Sequence, residues 1–119
     1  SIGYVTLIGK PIISKHPHST IKIEKGVTLI SETKGNISGI NHPIILATLK
    51  ENAVIHLKKD CGLSGVTICC ATKIEIGEYV GLGANTCVYD TDFHPINPYD
   101  RKFYNGATKT EPIIIDDFA

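Results

Sequence analysis

Two aspartates and a histidine alternate in the stretch VYDTDFHPIN, residues 88–97, as Asp90, Asp92 and His94. An imidazole beside a carboxylate is equipment for moving a proton at neutral pH. The neutral ring accepts the proton, and an acceptor on its other nitrogen fixes the tautomer. His94 is therefore the candidate general base. Asp92 is the candidate partner that orients it, a role that Asp90 or a main-chain carbonyl fills equally well. Asn97 and Arg101 follow on the same segment, FHPINPYDR, and suit contact with a polar substrate; a plain solvated loop accounts for them as readily. The bland reading of His94 is a loop histidine before a proline. Carboxylates and imidazole also suit divalent ions, but Asp92 falls on an inward repeat position and no second ligand cluster accompanies it, so no metal is expected.

Other chemistry is thin. Ser64 lies in no nucleophile-elbow motif, and GLGAN, residues 81–85, is repeat grammar with no dinucleotide fingerprint around it. Cys61, Cys69, Cys70 and Cys87 form neither a CxxC pair nor a zinc spacing, and read as reduced thiols used as small apolar fillers. His42 in INHP is given structural weight only. His16, His18 and His56 read as surface residues. The formal net charge of zero, with charges scattered, offers no field for a phosphate backbone, so nucleic acid is not an expected partner. No apolar run approaches a membrane span and no leader is legible, so a cytoplasmic setting is expected.

The elements that must position His94 follow from a repeat. Helix is disfavoured by the frequency of glycine, proline and β-branched residues. In IEIGEYVGLGANTCVYD, Ile76, Leu82 and Val88 stand six apart, and Val80, Thr86 and Asp92 follow each of them by four. Short flat strands with tight corners satisfy this rhythm, with alternate side chains turned inward and eighteen residues making one triangular turn. Ile68 and Cys70 lie eighteen before Thr86 and Val88; Ile55, Leu57, Cys61 and Leu63 lie nineteen before Ile74, Ile76, Val80 and Leu82. The mismatch predicts one extra residue, a bulge, in SGVT, residues 64–67. Ile21, Ile23, Val27 and Leu29 repeat the unit, and GYVTLIG reads as a further fragment. KPIISKHPHST and TKGNISGINHP read as loops, while HPIILATLKENAV does not phase. The last strand, PIIID, arrives about twenty residues late, which predicts an inserted loop over 93–111. The whole chain, 1–119, reads as one all-β domain. It contains no methionine and stops at IIIDDFA as a coil begins, so it reads as incomplete at its C-terminus and open to question at its N-terminus.

The segment IEIGEYVGLGANTCVYDTDFHPINPYDR resembles the left-handed parallel β-helix acyltransferases, in their maltose, galactoside and polysaccharide O-acetyltransferase branch; GINHPIILATL and CGLSGVTI are similar to segments of the polysaccharide-modifying members. The resemblance implies a left-handed hexapeptide-repeat solenoid, a homotrimer with active sites between neighbouring columns, acetyl-CoA as donor and a sugar or polysaccharide hydroxyl as acceptor. It places the catalytic histidine at His94. At the position of the asparagine that galactoside-type members carry one coil earlier, this chain has Ser64. A backbone amide around Ser64 and Gly65, freed by the predicted bulge, would then serve the oxyanion. The family's later coils, which grip much of the coenzyme, would lie beyond Ala119. Two alternatives stay open: N-acetylation of an amino sugar, and a β-helix used as a non-catalytic scaffold or left as an inactive fragment.

Overall fold

Runs of three or four residues with one or two aliphatics, separated by glycine, aspartate or asparagine, are too short to hold a sheet alone and must stack to bury anything. A computed structural model describes residues 4–93, 98 and 108–119. Apart from a 3-10 turn at Thr33–Gly35, every element defined between residues 4 and 93 is a strand. The strands are β1 (Thr6–Ile8), β2 (Ile12–Ser14), β3 (Thr20–Ile23), β4 (Thr28–Ile30), β5 (Ile45–Thr48), β6 (Val54–Leu57), β7 (Gly62–Ser64), β8 (Thr67–Cys70), β9 (Lys73–Ile76), β10 (Gly81–Leu82), β11 (Cys87–Tyr89) and, after the excursion, β12 (Ile113–Ile115).

The chain visits three parallel sheets in rotation. Sheet A is ordered β1-β4-β7-β10, sheet B β2-β5-β8-β11 and sheet C β3-β6-β9-β12. Each sheet takes every third strand, so four successive coils stack face to face, an arrangement compatible with a β-helix solenoid. The inward rows are in register: Leu29 over Leu63 in sheet A, Leu46 over Ile68 in sheet B, Ile55 over Ile74 and Leu57 over Ile76 in sheet C. All are buried, and each contributes roughly 1.5–3 kcal/mol by leaving water. Leu7 and Ile13 continue the same rows in the first coil but are 54% and 52% exposed, because that coil has a neighbour on one side only.

The register corrects the eighteen-residue spacing at one face. The nineteen-residue pairing of Ile55 with Ile74 and of Leu63 with Leu82 holds, but Ile68 pairs with Val88, twenty residues on, and not with Thr86. A two-residue shift keeps every side chain on its face, so the inward assignment survives the error. The extra residue belongs to the later coil, between Leu82 and Cys87, and not to residues 64–67. Two segments read as irregular contain strands. KPIISKHPHST holds β2, masked by Pro11 and Pro17, and HPIILATLKENAV holds β5 and the start of β6.

The corner from sheet C to sheet A repeats one backbone solution. Gly26 (φ 79°), Asp60 (φ 61°), Tyr79 (φ 59°) and Phe118 (φ 65°) occupy it in successive coils. Non-glycine residues rarely adopt this left-handed region. Here each is held by a backbone bond or a stacked side chain: Tyr79 N donates to Lys59 O, Phe118 N donates to Glu78 O, and the Tyr79 and Phe118 rings lie parallel at 5.4 Å. Gly26 is required for a second reason, since a Cβ there would fall 1.9 Å from Asp60 Oδ1.

Candidate functional site

The candidate site grows from the end of β11, where the chain leaves the column. Val88 keeps the inward row, and the next inward side chain is Asp90, 4% exposed. Asp90 Oδ1 accepts from the Ala71 amide at 2.6 Å, while Oδ2 accepts from the Thr72 and Lys73 amides at 2.7 and 2.9 Å. These three amides turn the corner between β8 and β9 in the preceding coil. The Asp90 carboxylate is thereby committed to the fold. Its presence also raises the buried Cys70 thiol, pushed by desolvation first and by Asp90 second to about 12.

Asp92 is exposed, a correction to its expected inward slot. Its amide donates to Lys109 O at 3.2 Å, Glu111 N donates to Asp90 O at 3.1 Å, and Thr91 bridges Thr110 in an antiparallel pair. The excursion expected over 93–111 is thus closed at its base by its own two ends. Phe93 takes φ 65°, donates its amide to Thr91 Oγ1 at 3.1 Å and sets its ring edge-on to Tyr89 at 5.1 Å. A concavity of about 430 Å³ opens here between Tyr89, Asp92, Lys109, Glu111 and Ile113. His94, Asn97 and Arg101 lie outside the described residues.

Ser64 stands elsewhere. It ends β7 at the corner between sheets A and B, whereas Asp92 follows β11 at the far end of sheet B, so one chain does not bring the two together. Ser64 is 8% exposed. The Gly65 amide, expected to be free for an oxyanion, donates to Ile30 O at 2.8 Å, and Ser64 O accepts from Asn85 N at 3.0 Å. The expected release of an amide fails because the extra residue sits one coil later, around Asn85.

Asn85 is the residue that spacing arguments missed. Its backbone takes φ 65°, its Oδ1 accepts from Asn41 N at 2.9 Å and its Nδ2 donates to Gly39 O at 3.1 Å. One amide side chain thus pins the long β4–β5 loop over the Ser64 corner. The signal was present as an asparagine at a left-handed corner, where its short polar side chain is tolerated. His42, on the same loop, donates from Nδ1 to Pro43 O at 2.7 Å and sets Nε2 3.4 Å from Thr67 Oγ1, in keeping with a structural role.

Among the described residues, no group of three or more His, Cys, Asp or Glu is placed to hold a metal ion, and no helix is long and apolar enough to cross a membrane. Comparison with known protein families finds no family model that matches this chain, and comparisons with curated proteins and with solved structures find no match either.

Proposed function

We propose that this chain is an acetyl-CoA-dependent O-acetyltransferase that modifies a carbohydrate hydroxyl, with His94 as general base. The observation that carries the reading is the rooted excursion. Its ends are hydrogen-bonded to one another, and a concavity opens between Asp92, two residues before His94, and the returning strand. A long excursion from a compact repeat carries function or disorder, and a rigid coil beneath it suits positioning.

In this reading the sugar hydroxyl attacks the thioester carbonyl while the His94 imidazole takes its proton. The carbon–sulfur bond then breaks, and the proton passes to the leaving coenzyme thiolate. Asp92 acts as a positioning residue on the second ring nitrogen, since Asp90 is engaged by three backbone amides. The solenoid is left-handed and trimeric. Trimerisation is supported by the charge of its outward rows: Ile12, Ile45, Thr67, Cys87 and Ser14, Ala47, Cys69, Tyr89 on sheet B, and Thr6, Thr28, Gly62, Gly81 on sheet A, carry no charge, whereas sheet C presents Lys22, His56 and Glu75. A contact of face A with a neighbour's face B is heterologous, and closes as a ring of three where each copy is turned a third of a circle from the last. It would also bring the Ser64 corner of one copy towards the Asp92 end of another.

The test is release of free coenzyme A thiol from acetyl-CoA in the presence of matched hydroxyl and amino sugars. His94→Ala should lower the rate roughly 10²–10⁴-fold, the usual worth of a positioned base. Undiminished turnover in that variant would refute the base assignment. No heat of acetyl-CoA binding in calorimetry would favour the scaffold reading, and preference for the amino sugar would favour N-acetylation.

A further inference from the structure

His56 is not the solvated surface histidine that its sequence context suggests. It lies on the outer face of sheet C, in β6, with Lys22 of β3 as its register partner on one side and Glu75 of β9 on the other. Its Nε2 bonds the Glu24 carboxylate, and its Nδ1 sits 3.7 Å from Glu75 Oε1. The three side chains are 19%, 27% and 19% exposed, so all are largely withdrawn from water. Glu24 is fixed independently, because its Oε1 accepts from the Lys59 amide at 3.2 Å.

A neutral imidazole has one N–H and one bare lone pair. With a carboxylate on each side, either neutral tautomer turns its lone pair towards an anion. Only the imidazolium donates to both. The same arrangement argues against a catalytic role, since neither ring nitrogen is free to take a substrate proton.

We propose that His56 is a proton-dependent staple that joins the first three coils across sheet C while it is charged and weakens their coupling when it loses the proton. Glu24 follows the third strand of the chain, His56 lies on the sixth and Glu75 on the ninth, so a single ring bridges three stacked layers. The charged groups around it are of both signs, two carboxylates within reach of the ring and lysines on their outer sides. Lys58 and Lys73 lie 3.9 and 3.8 Å from Glu75, and Lys22 adds a cation beside Glu24. Lys59 is turned to Glu78 at 4.0 Å, and β12 contributes only Ile114 to the row. The hydrogen bond from His56, opposed by burial, keeps the Glu24 carboxyl below its ordinary value. Stability from Glu24 is therefore present above the ordinary carboxylate range and lost as pH falls through its lowered value. The staple needs an imidazolium and a carboxylate together, so losing either charge breaks it.

Two measurements on the whole chain decide the matter. In nitrogen-15 spectra at about pH 6, the His56 ring should carry protons on both nitrogens, as only the cation can; a neutral tautomer there overturns the proposal. Urea unfolding at about pH 6 should show a folding equilibrium constant roughly two- to fivefold lower for His56→Gln than for the wild type, a difference that shrinks in alkaline solution. Parallel pH profiles for the two proteins also overturn it. Should His56→Gln fail to fold, Glu75→Gln supplies the second variant. It removes one carboxylate and should flatten the same pH dependence, and an unchanged slope counts against the staple.

Discussion

Asp90 shows how a functional-looking residue can be spent on architecture. A carboxylate beside a histidine invites a catalytic reading, yet its two oxygens accept three consecutive amides, Ala71, Thr72 and Lys73, at a largely buried corner. Charge-assisted bonds of this kind are strong, and each buried donor left without a partner costs about 1–3 kcal/mol. Asp90→Ala orphans all three and should destabilise the chain by roughly 3–5 kcal/mol in urea unfolding followed by circular dichroism. Asp90→Asn keeps the shape but loses the charge and turns one amide group against a donor, so a loss of about 1–3 kcal/mol is expected. An alanine variant as stable as the wild type would show that the corner finds other acceptors. Asp92, two residues on and exposed, should tolerate substitution with little effect on folding. The contrast separates the structural carboxylate from the one the proposed chemistry requires.

At the scale of elements, the strand that returns from the excursion is paired on one side only, and one glycine permits its close approach. β12 lies on β9 with Ile113 over Ile74 and Ile115 over Ile76. Gly77 N then donates to Ile115 O at 2.8 Å, and Asp117 Oδ1 accepts from Glu78 N at 2.8 Å. A Cβ on Gly77 would meet Asp117 N at 2.6 Å and Asp116 C at 2.7 Å, both main-chain atoms that cannot swing aside. Gly77→Ala should therefore detach β12 while leaving the earlier coils paired. Hydrogen exchange reads this directly, as faster exchange at residues 113–118 with little change at 54–57. Equal protection in both proteins would show that the backbone adjusts cheaply. Such detail was only partly legible in the sequence. The six-residue rhythm exposed the later coils because their corners are short, as between Ser64 and Thr67 or Cys70 and Lys73. It failed where corners carry loops: β2 lies between two prolines, and β5 follows the long loop from Ser31 to Ile44. A period can be counted only while nothing is inserted. The candidate site was legible as residue types and as a break in the rhythm at Phe93 and His94, although the inward row already ends at Asp90. The contacts of Asn85 and His56 were not, since they join segments far apart in sequence.

For the whole molecule, the distribution of charge over three faces connects assembly to cysteine chemistry. Cys61 and Cys70 point into the column, and burial pushes their thiols up to about 11 and about 12. A thiol must ionise to react, so both should resist labelling until the coils open. Cys69 is half-buried on the outer face of sheet B, its thiol raised by burial and by Cys87, while Cys87 itself is exposed. In a single chain the expected order is then Cys87 first, Cys69 slower, and Cys61 and Cys70 together on unfolding. The proposed ring of three changes only the first two, because it covers the uncharged face on which both stand. Labelling with an aromatic disulfide reagent across a dilution series, alongside sedimentation equilibrium, separates the two cases. A mass near three chains with a slow Cys87, quickening as dilution releases single chains, fits assembly through sheets A and B. A mass of three chains with Cys87 reacting freely at every concentration would keep the oligomer but move its contacts to sheet C, and a single-chain mass throughout would remove the assembly on which a shared site between columns depends.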